Sequence, residues 1–251
     1  MPQTPAKKKA AKSPAKKSPS KKRTGAAELP KRKPARRDLD PERVESILKI
    51  LRDTYPIAEC ALVHASPWQL LVATILSAQC TDVRVNMVTP KLFATYPTPQ
   101  AMANAPIESI EEIIRTTGFY HNKAKSIQGA GRVISEQFHN KVPQTMGELL
   151  TVPGAARKTA NVVLGVAYGK AEGVVVDTHV FRLARRLGLT RSETPQKVEQ
   201  DLMKVIPRDR WIQLSHELIH HGRQICDARK PKCAACPLET LCHAPDKTWE
   251  S

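Results

Sequence analysis

No stretch of the chain approaches the roughly 18–20 consecutive apolar residues that a bilayer-spanning helix requires. The N-terminus lacks the apolar core of a secretory signal. Its Lys/Pro-rich composition, without amphipathic period, also disfavours a mitochondrial transit peptide. These absences predict a soluble intracellular protein with no membrane contact, in which thiols stay reduced. Aromatic residues are scarce at 4%, yet hydrophobic residues reach 41%, enough for a globular body. Acids are nearly missing from residues 1–37, which hold 14 Lys/Arg against one acid. Of the formal net charge of +16, this segment contributes +13 and residues 38–251 only +3, so the basic excess is a tail.

That tail, with Lys7-Lys8-Lys9, Lys21-Lys22-Arg23 and Lys31-Arg32-Lys33 among Pro, Ala and Ser, cannot bury a core. Disorder is predicted over residues 1–38. Its charges suit non-specific binding of nucleic acid through counterion release, with solubilisation and nuclear localisation as the other roles such clusters serve.

Strand patterns are missing too. Only Gly173-Val174-Val175-Val176 looks extended, too isolated to build a sheet, so the fold class is all-α with about ten short helices. Asp40-Pro41 is an N-cap followed by proline at the first helical position, and Val44, Ile47, Leu48 and Leu51 then follow helical spacing. Ser66-Pro67 repeats the signal before Trp68, Leu71, Val72, Ile75 and Leu76; Thr81 or Asp82 caps the next helix. Ala105-Pro106 opens another, closed by Gly118. Further helices are expected near 122–138, 145–151, 157–168, 179–187, 195–205 and 208–222. No internal repeat and no Pro/Gly linker interrupts residues 38–251.

The stretch from Val152 to Asn161 reads as a Pro153-Gly154 hairpin running into a helix, with Arg157 and Lys158 in its first turn. Unpaired N–H groups at such a terminus form a phosphate site. An amine attacks carbon only when neutral, and the positive end of a helix, adjacent Arg157 and partial burial all favour that form of Lys158. It suits attack on an electrophilic sugar carbon through a Schiff base. Asp177, in Val176-Asp177-Thr178-His179, would assist as a carboxylate. Each residue alone has a plainer reading, a solvated lysine and a helix cap, and spacing does not show that they meet.

Cys226, Cys233, Cys236 and Cys242 are spaced C-x6-C-x2-C-x5-C, which suits zinc or an iron–sulfur cluster; zinc ribbons usually carry two close C-x2-C pairs, and here there is one. Between the first two lies the basic loop carrying Arg229, Lys230 and Lys232. Cys60 and Cys80 read as packed thiols.

Leu76-Ser77-Ala78-Gln79-Cys80-Thr81-Asp82, Gly118-Phe119-Tyr120-His121-Asn122-Lys123-Ala124, the hairpin stretch, Val176–His179 and the four cysteines occur in order. Together, over about residues 40–245, they closely resemble endonuclease III, of the helix-hairpin-helix DNA glycosylase superfamily. The resemblance implies a two-lobed fold. Residues 61–170 would form a six-helix barrel lobe with the hairpin, and residues 39–60 and 171–251 a lobe holding a 4Fe–4S cluster on the four cysteines. It also implies a bifunctional glycosylase and abasic-site lyase, working as a monomer on oxidised pyrimidines in double-stranded damaged DNA. Lys158 would attack C1′ with Asp177 assisting. Gln79 would fill the gap left by the extruded base, and Phe119, where the family usually has leucine, would wedge into the opposite stack. Gly154, Ala156, Arg157, His179, Arg229, Lys230 and Lys232 would contact DNA. The location would be the cytoplasm or nucleoid of a bacterium, or the nucleus of a eukaryote.

The alternatives are a monofunctional adenine-type glycosylase, whose members lack a lysine at position 158, and a non-catalytic DNA-binding protein. One departure stands out: Ala156 replaces the second glycine of the usual hairpin. If that position needs a left-handed backbone, alanine costs roughly 1–2 kcal/mol there; otherwise the hairpin shifts and holds phosphate less closely, and either way weaker DNA binding and slower turnover are expected.

Overall fold

The computed structural model describes residues 36–248; the basic segment over residues 1–35 lies outside them. Eleven α-helices are present among the described residues, and no strand. Helix α1 (Pro41–Thr54) starts where Asp40 accepts a bond from the Glu42 N–H, with Pro41 at its first position, and it buries Val44, Ile47, Leu48 and Leu51. Helix α2 (Pro67–Leu76) starts at Ser66 in the same way and is buried at every position from Leu70 to Leu76. Then follow α3 (Asp82–Thr95), capped by Thr81, and α4 (Pro99–Ala103), capped by Thr98. Next come α5 (Ile107–Ile114), α6 (Tyr120–Gln137) and α7 (Met146–Leu149). The chain ends with α8 (Arg157–Tyr168), α9 (Thr178–Arg186), α10 (Pro195–Val205) and α11 (Trp211–Gln224).

These helices bury two separate hydrophobic cores. One gathers side chains from Leu62 to Leu164 around α2, packed by α3 to α8. The other joins α1 to α9, α10 and α11, and takes in Leu238 from the cysteine segment. The chain thus enters the second core with α1, leaves it for the whole first core, and returns after α8.

Three details differ from the expectations. Helix α4 was not anticipated: Thr98-Pro99 carries the same start signal as Ser66-Pro67, but five residues are too few to show a period. Gly173–Val176 forms no strand; it is an irregular connection whose Val174 and Val176 enter the second core. Order also begins before Asp40, because Arg36–Leu39 forms a 3-10 turn and Asp38 is buried. The Asp38 carboxylate sits 2.6 Å from His243 Nδ1, tying the start of the body to its end.

The hairpin before α8 is closed by Ala155 N–H donating to Val152 O at 3.0 Å. Its left-handed residue is Gly154, at φ +80°. Ala156 lies at φ −70°, ψ 168°, an extended backbone that alanine adopts freely. The expected cost of alanine at this position is therefore absent, since only Gly154 carries the positive φ. A Cβ on Gly154 would also stand 3.0 Å from Ser126 Cβ, so α6 approaches the hairpin closely.

Gly131 performs a similar service within α6. A Cβ there would meet Pro99 O at 2.6 Å and Ala103 N at 3.0 Å, both backbone atoms of the α4 turn. Gly131→Ala should therefore cost about 1–3 kcal/mol of overpacking, more than the ~1 kcal/mol of helix propensity it gains. Thermal unfolding should show a net loss; a higher melting temperature would contradict this close approach. Ala156→Gly should destabilise by about 0.4–1 kcal/mol through a freer unfolded chain. Stabilisation by glycine would mean that Ala156 is strained after all.

Candidate active site

The N-terminus of α8 is uncapped by any side chain, because Ala156 occupies the cap position. The first turn therefore presents backbone N–H groups and the positive helix end outward. Lys158 sits in that turn, exposed, with no hydrogen bond or ion pair among the described residues. Partial burial was expected; instead the first turn opens directly onto a cleft.

Arg157 does not share this freedom. Its Nε donates to both Glu199 oxygens, at 2.9 and 3.1 Å, and Glu199 on α10 is buried. Asn161, one turn along α8, donates from Nδ2 to Glu199 Oε1 at 2.8 Å. The charge expected to serve phosphates is thus bound to the other core. Gly173 makes room for the arrangement, since a Cβ there would fall 2.1 Å from Glu199 Oε1.

Asp177 caps α9: its Oδ1 accepts from the His179 and Val180 N–H groups, both at 2.8 Å. Its Oδ2 takes no bond among the described residues, so one oxygen fixes the side chain and the other is available. Lys158 and Asp177 line one cavity of about 110 Å³ between the two cores. Spacing left open whether they meet, and the fold brings them to the same cleft. Its walls are a stripe of α8 (Lys158, Val162, Gly165) and a stripe of α11 (Ile212, His216, Ile219, Arg223). At the rim, Arg223 Nη2 pairs with Asp82 Oδ2 at 2.5 Å, bridging α11 and α3.

Gln79 and Phe119 are left-handed non-glycine residues, at φ +53° and φ +48°. Such conformations are sparsely populated and concentrate at functional sites. Both are exposed, and together with Gly154 they line a second, shallow cavity. Beneath them Lys123 is buried; its Nζ donates to Thr117 O at 2.8 Å, and burial pulls its pKa down. His179 is half-buried, its Nδ1 3.2 Å from Arg182 Nη2, and burial lowers its pKa first among several causes. Arg229, Lys230 and Lys232 are exposed on a turn that Asp227 builds by accepting from the Arg229 N–H at 2.8 Å and the Lys230 N–H at 3.3 Å.

Cys226, Cys233, Cys236 and Cys242 line a single cavity. No three Cys, His, Asp or Glu side chains among the described residues converge tightly enough to hold one metal ion. Three of the four sulfurs face nitrogen groups: Arg186 Nη1 at 3.3 Å from Cys226, the Thr248 N–H at 3.4 Å from Cys233, and His221 Nε2 at 3.4 Å from Cys236. Burial pulls His221 down to about 4, which leaves it neutral, and its Nδ1 lies 3.0 Å from the Tyr55 hydroxyl. Burial also pushes the Cys236 thiol up to about 11.

Sequence reading missed Glu199, Asn161, Gly173 and His216. None carries a local signal: each is defined by a partner or a cleft that only the fold assembles.

Residues 72–208 match the HhH-GPD superfamily base excision DNA repair protein model. The endonuclease III of Synechocystis is 57% identical over 201 residues, covering 80% of this chain and 92% of that protein. The Escherichia coli endonuclease III is 41% identical, covering 80% and 95%. An endonuclease III solved in a non-covalent complex with DNA is similar at a TM-score of 0.77 and 41% identity, covering 81% of this chain and 95% of that one. One trapped as a covalent intermediate with DNA also gives a TM-score of 0.77, at 42% identity, covering 81% and 96%. With the hairpin, the cleft and the cysteine cavity in place around such extensive likeness, this chain belongs to the endonuclease III family of the HhH-GPD superfamily.

Proposed function

We propose that this protein is a bifunctional DNA glycosylase and abasic-site lyase of base excision repair, acting as a monomer on oxidised pyrimidines in duplex DNA. The observation that carries this reading is Lys158, unpaired among the described residues at an uncapped helix N-terminus, in the same cleft as an Asp177 oxygen that takes no bond from them. The related endonuclease III trapped covalently on DNA supports the same chemistry. All the groups required sit on one chain, and no helix among the described residues is long and apolar enough to cross a membrane. The place of action would be the chromosome, in the cytoplasm or nucleoid of a bacterium.

DNA phosphates meet the N–H groups of the hairpin and α8 and the exposed Arg229, Lys230 and Lys232. Gln79, held in a left-handed conformation, fills the gap left by the extruded base, and Phe119, held likewise, wedges into the opposite stack. The Lys158 amine forms a bond to C1′ while the C1′–base bond breaks, and the base leaves with a proton. Opening of the sugar ring gives the imine. Loss of a C2′ proton then expels the 3′ phosphate by β-elimination. The unbonded Asp177 oxygen stabilises positive charge on the sugar and receives protons.

The cysteine cavity suits a 4Fe–4S cluster. Such a cluster spreads four thiolates over one inorganic core, so they need not converge as they would on a single ion. Donors from Arg186, Thr248 and His221 are of the kind that stabilise ligating sulfur. Cys226, Cys233, Cys236 and Cys242 would hold it, and when bound it would stiffen the loop that presents Arg229, Lys230 and Lys232. It takes no part in the steps above.

Borohydride reduction of the protein with duplex carrying an oxidised pyrimidine should yield a covalent adduct that Lys158→Gln abolishes. Asp177→Asn should keep the cap while slowing trapping by on the order of 10²-fold or more. A folded wild-type protein forming no adduct would overturn the lyase reading. Anaerobic preparations should contain iron and sulfide near four of each per chain. Colourless protein with stoichiometric zinc would overturn the cluster.

A further inference from the structure

The cleft holds an imidazole that neither the architecture nor the proposed chemistry employs. Most polar side chains lining it are occupied by the protein itself. The Thr74 hydroxyl donates to Leu70 O and the Ser77 hydroxyl to Thr74 O. The Ser215 hydroxyl donates to Trp211 O and accepts from the Val175 N–H. Asp82 and Arg223 hold each other, and one oxygen of Asp177 caps α9. Apart from Lys158 and the free Asp177 oxygen, Glu59 is exposed at the edge. Of the other polar groups, the Asn161 Oδ1 is buried without a hydrogen bond beside the amide nitrogen that holds Glu199, and His216, half-buried on the α11 wall, has no hydrogen bond among the described residues.

His216 lines the same cavity as Lys158 and Asp177. Gly165 of α8 lets α11 approach at Ile212, since a Cβ there would lie 3.2 Å from Ile212 Cγ1, and His216 stands one turn from Ile212 on the same face of α11. A pyrimidine whose C1′ is presented to Lys158 would enter this cavity, between Val162, Val166 and Ile219, with His216 on its wall.

We infer that His216 contacts the pairing edge of the extruded pyrimidine and, by exchanging tautomers, accepts bases bearing either a carbonyl or an amine there. This rests on the glycosylase reading above. A neutral imidazole nitrogen donates in one tautomer and accepts in the other. It can thus give a hydrogen bond to the carbonyl of a uracil-type base or take one from the amine of a cytosine-type base. Burial, with His220 the next cause, favours the neutral ring that this needs. The only carboxylate raising its pKa is the exposed Glu59. Apolar walls with one ambivalent polar contact select a ring of the right size while tolerating several chemistries on its edge.

Single-turnover excision on duplexes carrying 5,6-dihydrouracil or 5-hydroxycytosine, beside strand cleavage at a pre-formed abasic site, tests the inference. His216→Leu should slow excision of both bases by about tenfold, the scale of one lost hydrogen bond. It should leave abasic-site cleavage within about twofold, because that substrate has no base to read. His216→Gln, which can also donate or accept, should restore much of the loss. Unchanged excision in the leucine variant would overturn the assignment. An equal fall in abasic-site cleavage would show that His216 merely supports the fold. A loss confined to one base would overturn tautomer exchange. Wild-type protein inert on every substrate would instead sink the glycosylase reading itself.

Discussion

The site depends on one buried carboxylate. Glu199 projects from α10, in the second core, and is held by Arg157 and Asn161 of α8, in the first. Arg157 is 45% exposed at its side chain, so the attraction within the pair is screened and modest. The weight lies with Glu199, only 8% exposed, since an uncompensated buried carboxylate costs roughly 3–5 kcal/mol. The two cores are therefore locked in the relation that keeps Glu199 paired. Lys158 follows Arg157 directly, and Asp177 follows Gly173, the residue whose missing side chain admits the carboxylate. Lys158 and Asp177 are thus set by a common anchor rather than by contact with each other.

That arrangement leaves the reacting groups free of one another's partners. The obvious local partner for a phosphate, Arg157, is spent on architecture, and the obvious local partner for Asp177, its own helix, takes only one oxygen. Among the groups that face the cleft unbound by the framework are an amine, one carboxylate oxygen and an imidazole. Preorganisation here is achieved by occupying neighbours, so the few remaining groups have no competing hydrogen bonds to break before they act.

The helices were legible wherever a cap and proline preceded a periodic apolar face, as at Asp40-Pro41 and Ser66-Pro67. Helix α4 had the cap but not the length. At the site, Lys158, Asp177 and the cysteines were visible as ordered motifs, because their neighbours in sequence are also their structural context. Glu199 was not, since nothing local ties it to Arg157, 42 positions away. Whether Ala156 is strained was not legible for a related reason: a sequence shows that a hairpin needs a left-handed residue but not which position carries it, and here Gly154 does. His216 sits between Ile212 and Ile219 on one helix face, a pattern that reads as core until the facing helix is seen to stand off and leave a cavity.

The small net charge of residues 38–251, only +3, is no obstacle to gripping a polyanion. Affinity for a nucleic acid scales with the phosphates neutralised, not with the balance of charge over the whole surface. Several acids are withdrawn from that surface into pairs: Asp38 with His243, Glu199 with Arg157, Glu217 with Arg210. Asp227 spends its carboxylate on the turn that holds Arg229 and Lys230 outward. Among the bases with no ion pair in the described residues, Lys158 is carried by an uncapped helix start, and Arg229, Lys230 and Lys232 by a loop between cysteines. Both are places where backbone N–H groups or a rigid frame reinforce each charge. The 14 Lys/Arg of residues 1–37 hold most of the chain's net charge, apart from these groups.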